Sequence, residues 1–115
     1  MTSLSEDTAN PSEVLAKATL RAAVAMKIGE EQLATVLGVD TDFVGVVIEP
    51  TSSPGLRAQQ LIRIYQQLLA ITGNDTVAMA HWMTTRNRQF DCSPRDRMMT
   101  AEGLDDVTYY LESIL

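Results

Sequence analysis

Apolar residues recur at helical spacing along most of the chain, and no segment alternates polar and apolar for long. Val14, Leu15, Ala18, Ala22, Ala25 and Met26 form the first such series. It opens on Asn10-Pro11-Ser12-Glu13: a cap candidate, a proline for the first turn and an early acid. This helix is expected to end near Ile28-Gly29. Glu30 to Leu37 predicts a second, shorter helix, stopped by Gly38 because glycine supplies the left-handed backbone of many helix ends. Asp40 or Thr41 can cap a third, running to about Glu49. Its Val44–Ile48 stretch is the richest β-branched run of the chain but is short and follows a helix start. Pro50 to Gly55 reads as a loop, and a long helix follows from about Leu56 to Thr72. Its apolar face carries Leu61, Tyr65, Leu68 and Leu69, widened by Ile62 and Ile64. Asn74 or Asp75 caps the next helix, through about Thr85. Ser93-Pro94-Arg95-Asp96 resembles a capping box and starts a short helix to about Met99. Thr100 then caps the last helix, whose Leu104, Val107, Leu111 and Ile114 form one stripe. The prediction is an all-α protein of about seven helices. It divides into a flexible tail (1–11), a helix-turn-helix-like unit (12–55) and a second helical domain (56–115).

Composition narrows this picture. A hydrophobic content of 45% over 115 residues supports a real core. One cysteine, Cys92, cannot close a disulfide within the chain, so a reducing cytoplasm is the expected location. No run of about eighteen apolar residues offers a membrane span. The start of the chain, Met1 to Asn10, is polar and acidic, unlike a signal peptide. A net charge of −6 argues against bulk attraction to nucleic acid, which depends on Lys and Arg reaching phosphates.

The helix-turn-helix reading rests on Leu33-Ala34, Leu37-Gly38-Val39, Val44 and Val47. Ala34 is small where two helices cross, Gly38 makes the turn, and the valines seal the angle. The recognition helix, Thr41 to Glu49, is abnormal for a DNA reader. Base edges and phosphates are met by Arg, Lys, Asn, Gln, Ser or Thr. This segment offers Thr41, two acids (Asp42 and Glu49) and a row of apolar side chains. Candidate DNA contacts reduce to Lys17, Arg21 and Thr41. Phe43, Val46 and Ile48 cannot all point into one small core and are candidates for a homodimer contact.

Catalysis is hard to assemble from this inventory. His81 is the only histidine, with no cysteine or acid spaced to form a nucleophilic pair. Acids beside Cys92 oppose the thiolate that nucleophilic chemistry needs. One histidine and one cysteine give no metal-ligand spacing, and no glycine-rich phosphate loop is present. No enzyme activity, metal or cofactor is expected. Arg86, Arg88, Arg95 and Arg97 cluster around the Asn87–Asp96 segment, and arginine is favoured at interfaces because it forks onto carboxylates and stacks on rings. Arg95 and Arg97 are both expected to be exposed. Of the adjacent Met98 and Met99, one is expected near the arginines.

The order of residues in the last third carries a resemblance. Ala80-His81-Trp82-Met83 is followed by Asn87, Phe90, Ser93-Pro94-Arg95-Asp96, Thr100-Ala101-Glu102-Gly103, Val107 and Leu111. This resembles the toxin-binding domain of Xre/MbcA/ParS-type antitoxins, well over about Ile62–Leu115 and loosely over about Ser12–Glu49. The resemblance implies that 56–115 is a toxin-binding domain whose partner is a cognate RES-domain toxin, an NAD-consuming enzyme neutralised by covering its active site. It implies a homodimer; the alternative readings are a DNA-binding transcriptional (auto)regulator, or an orphan relative that keeps the fold but binds some other protein. The implied toxin-binding residues are Arg86, Arg88, Arg95, Arg97, Met99, Tyr110 and Leu115. Phe90-Asp91-Cys92 stands where relatives often carry a Leu-Gly-Gly-like turn. Relatives also commonly continue beyond the Ile114-Leu115 position, so a terminal plug that is shorter or absent is expected.

Overall fold

The computed structural model describes residues 10–40 and 48–114. Expectations resting on 1–9, including most of the tail, on Thr41, Phe43, Val46 and the rest of 41–47, and on Leu115 lie outside the described residues. Six helices are found among them: α1 (Pro11–Ala25), α2 (Glu30–Leu37), α3 (Ser53–Thr72), α4 (Thr76–Thr84), α5 (Pro94–Arg97) and α6 (Ala101–Ile114). There is no strand among them. One isolated antiparallel bridge joins Asn87 and Cys92.

Five of these six starts follow from an N-cap side chain that accepts a free amide; α2 starts after Gly29, which has none. Asn10 accepts from Ser12 at 2.9 Å, and Asp75 from Val77 and Ala78 at 3.0 and 3.1 Å. Ser93 accepts from Asp96 at 3.2 Å, and Thr100 from Gly103 at 2.9 Å. Two boundaries differ from the sequence expectation. Helix α3 begins three residues before Leu56, because Ser52 accepts from Gly55 at 3.0 Å and Pro54 fits the first turn. Helix α1 stops at Ala25, before the expected Ile28-Gly29. Lys27 turns left-handed at φ 62°, and the Ile28 amide reaches back to the Ala23 carbonyl at 2.8 Å. That is a Schellman end built on lysine instead of glycine. Ile28 then packs inward, 4% exposed, and Gly29 becomes the N-cap of α2.

Helix α3 is the central element. It packs against α1, α2, α4 and α6, while α5 touches α4 and α6. Its buried Leu61, Ile64 and Leu68 join one core that runs from Leu15 in α1 and Met26 at its C-cap to Val107 and Leu111 in α6. Each fully buried side chain of this size contributes about 1.5–3 kcal/mol of transfer free energy. Two glycines allow close backbone approach. A Cβ on Gly55 would lie 2.0 Å from the Glu49 carbonyl oxygen, and one on Gly103 would lie 1.6 Å from that of Arg97.

The helix-turn-helix region is partly described. Leu33, Ala34 and Leu37 are buried, and Gly38 is left-handed at φ 75°, with the Val39 amide on the Ala34 carbonyl at 3.0 Å. Ile48 and Glu49 are not helical, so a third helix does not extend to Glu49. The Ile48 amide bonds the Ser12 carbonyl at 3.2 Å and pulls that segment onto α1. Ile48 is only 7% exposed in the chain's own core, which leaves it little surface for the expected dimer contact. No described helix is long and apolar enough to cross a membrane.

Candidate functional site

The arginine cluster divides into two kinds of residue. Arg86 and Arg88 are exposed at the start of the loop joining α4 to α5. The loop is closed by its own backbone: the Asn87 amide bonds the Cys92 carbonyl at 2.9 Å, and Phe90 and Asp91 donate to the Asn87 carbonyl. Asn87 Oδ1 accepts the Gln89 amide at 2.8 Å. Asp91 sits at φ 62°, taking the left-handed conformation that a glycine would otherwise supply. Arg86 pairs with Asp91. Arg88 takes part in no ion pair among the described residues.

Arg95 and Arg97 are instead half-buried, contrary to the exposure expected of them. Arg95 Nη1 donates to the Lys27 carbonyl at 3.0 Å, and its Nε is buried without a hydrogen-bond partner. The cation thus lies at the C-terminal end of α1, a helix with no basic residue in its own last turn. Arg97 Nε donates to Asp106 Oδ2 at 3.0 Å, tying α5 to α6. The hydrogen bond and charge of Asp106 raise the Arg97 pKa above its ordinary value, so its charge is fixed at any physiological pH. Both side chains brace the fold, which sequence spacing could not reveal because their partners lie far away in the chain or on another helix.

Tyr110 and Trp82 meet across α6 and α4. Their rings stack with centroids 6.4 Å apart and planes 10° from parallel. Phe90 presents an edge to both, at 5.4 Å from Tyr110 and 6.5 Å from Trp82. This cluster fixes the loop against α6, each pair adding about 0.5–1.5 kcal/mol beyond area burial. Tyr110 therefore has a structural partner inside the chain and exposes only part of its ring. Met98 is fully buried and Met99 half-buried.

Two grooves flank the aromatic cluster. One is lined by Phe90, Tyr109 and Tyr110, with Asp91, Arg97 and Asp106 at its edge. Tyr109 is 74% exposed beside it. The other, about 360 Å³, lies between the ends of α3 and α6 and the outer side of α4. Leu68, Leu111 and Trp82 line it together with Ile71 and Ile114, which are 42% and 52% exposed. Ala78, one helical turn before Trp82, is exposed on the rim. The second groove was not legible beforehand, because its walls come from three helices whose stripes each read as core.

Elsewhere, Lys17 and Arg21 are exposed one turn apart on α1. His81 is exposed, and Cys92 is a half-buried free thiol. Among the described residues no group of three or more His, Cys, Asp or Glu side chains is placed to hold a metal ion.

Residues 67–115 match the family model of the antitoxin Xre/MbcA/ParS C-terminal toxin-binding domain. The match begins near the end of α3 and takes in the aromatic cluster, the arginine loop and both grooves. No curated protein matches the chain.

Proposed function

We propose that this chain, whose residues 67–115 belong to the toxin-binding domains of Xre/MbcA/ParS antitoxins, neutralises a RES-type, NAD-consuming toxin by covering its active site. The family match is the observation that carries the reading, since it implies a toxin partner. The surface supports it. Arg88 is exposed and takes part in no ion pair among the described residues, Arg86 is paired with an exposed acid, and Tyr109 shares a groove with the neighbouring loop residues Gln89, Phe90 and Asp91. Exposed ion pairs contribute about 0–1 kcal/mol, so Arg86 can exchange its partner at little cost. We assign the direct toxin contacts to Arg86, Arg88, Met99 and the outer edge of Tyr110, and a bracing role to Arg95 and Arg97. The action is binding, not catalysis, in a homodimer within the cytoplasm. Co-expression with a RES-domain protein encoded beside this chain tests the reading. Stable co-purification of the two proteins is expected, and their separation during purification would contradict it.

A second reading is transcriptional regulation through DNA. It is favoured only by Lys17 and Arg21, exposed together on α1. Two phosphate contacts per chain would give a salt slope of roughly −2 for each chain bound. Affinity for DNA that does not change with salt would remove it.

A further inference from the structure

Helix α4 is the only described helix without an Asp, Glu, Lys or Arg. It buries Met79 and Met83, while Thr76, Val77, Ala78, His81 and Thr84 are exposed. A helix with so little charge on any side is ordinarily covered on both faces. Four of the seven large apolar side chains exposed among the described residues stand on this face or beside it. Val77 is on it, at 78% exposed. Val24 of α1, at 73%, shares a groove with Leu20, Ala25, Tyr65 and Thr76 on one flank. Ile71 and Ile114 share the groove of the other flank with Ala78 and His81. The patch is continuous from α1 across α4 to the end of α6, and a soluble surface rarely leaves such a patch uncovered.

The lack of charge selects the occupant. In a twofold contact each residue near the axis meets its own counterpart, so a charge placed there meets a like charge. Two copies of a chain with net charge −6 repel each other over most orientations. The outer face of α4 is the described helix face that can sit on such an axis with no like charges opposed. His81 marks the axis: at 3.6 residues per turn it points away from the Met79–Met83 side, and it lies midway between exposed Val77 and Thr85. We propose that this chain dimerises through α4, two copies packing antiparallel about an axis at His81. Val77 of each copy then lies toward Thr84 and Thr85 of the other, and Val24 and Ile71 are covered at the flanks. Arg21, in the flanking groove, is off the axis and so does not face its own copy. The inference rests on the proposed function for the homodimer alone, and gives it a seat that buried Ile48 cannot. Nine residues make α4 about 14 Å long, so the contact is smaller than the roughly 800 Å² per partner of a standard interface, and the dimer is weak.

Sedimentation equilibrium of the full chain, from low to high micromolar concentration, reads the association. The mass is expected to rise from 12.6 kDa toward twice that value. Val77→Asp and His81→Glu each raise the dissociation constant about ten-fold or more while circular dichroism shows the helices intact, because each sets carboxylates of two copies near one another. A cross-linking arm adds no charge. On mild oxidation the Cys92→Ser, His81→Cys chain forms a disulfide-linked dimer, while Cys92→Ser, Tyr109→Cys, exposed on α6 outside this face, forms it at least ten-fold more slowly, as proximity at the axis requires. A monomer at high concentration, association unchanged by both substitutions, or equal cross-linking of the two cysteine variants overturns the seat. Loss of RES-domain capture by His81→Glu with association unchanged would give α4 to the toxin instead, and would also overturn it. If the unaltered chain captures no RES-domain protein, the toxin reading fails, while the mass and the cross-link still decide the dimer.

Discussion

The two sides of α3 are packed with different materials. Against α1 and α2 the core is largely alanine and branched aliphatic, with Leu15, Ala16, Ala22, Ala23, Ile28, Leu33, Val36, Leu37 and Ala58, and with Met26 among them. Against α4, α5 and α6 it is built from Met79, Met83, Met98, Leu104 and Leu111, with half-buried Trp82, Phe90 and Tyr110 packed on its edge. Small residues let helices approach closely and leave little surface to adapt. Thioethers and aromatic rings fill irregular space and keep large faces near the surface. The proposed binding region lies where the core reaches the surface, and both grooves border the aromatic edge. The alanine side supplies a firm back for α3.

The sharpest way to break this arrangement is Gly103→Ala. The added methyl meets the Arg97 carbonyl, so a loss of about 3 kcal/mol in urea unfolding is expected, at the upper end of overpacking costs. A loss below 1 kcal/mol would mean that α5 and α6 can separate freely. Trp82→Ala removes a half-buried stack and should lose about 2 kcal/mol, less than a fully buried tryptophan. Its loss should exceed that of Tyr109→Ala, whose ring is 74% exposed, and equal losses would contradict the aromatic edge. The arginines separate the two roles. Arg95→Met should lose about 1 kcal/mol by unpairing the Lys27 carbonyl. Arg86→Glu with Arg88→Glu should leave stability within about 0.5 kcal/mol while weakening toxin capture. Similar thermal stability and similar capture in both variants would erase that division. The smallest expected effect is on the alanine side. Lys27→Gly relieves a left-handed lysine and should stabilise by about 0.5–1 kcal/mol in the same unfolding assay.

Much of the architecture was legible because caps and apolar stripes are local signals. Asn10, Asp75, Ser93 and Thr100 each cap a helix as their residue type and position implied. The ends of α1 and α3 were misplaced for local reasons too. The Schellman end at Lys27 lacks its usual glycine, and Gly55 reads as a loop residue until its closeness to the Glu49 carbonyl is seen. The site was less legible. Four arginines close in sequence look equivalent, yet Arg95 is spent on a carbonyl 68 residues away and Arg97 on a neighbouring helix. Ile71, Ala78 and Ile114 each continue an ordinary helix stripe, and only the meeting of three helices turns them into one groove. The toxin-binding resemblance was recognisable in the order of Trp82, Asn87, Pro94 and Gly103, and the family match over 67–115 agrees with it.

The central claim is that this C-terminal region silences an NAD-consuming partner. The direct measurement is NAD consumption by the purified RES-domain protein, titrated with this chain and with its Arg86→Glu, Arg88→Glu variant. Inhibition that saturates at a fixed ratio of the two proteins, and shifts to higher concentration in the variant, is the predicted result. Undiminished NAD consumption with the unaltered chain in excess would contradict the account.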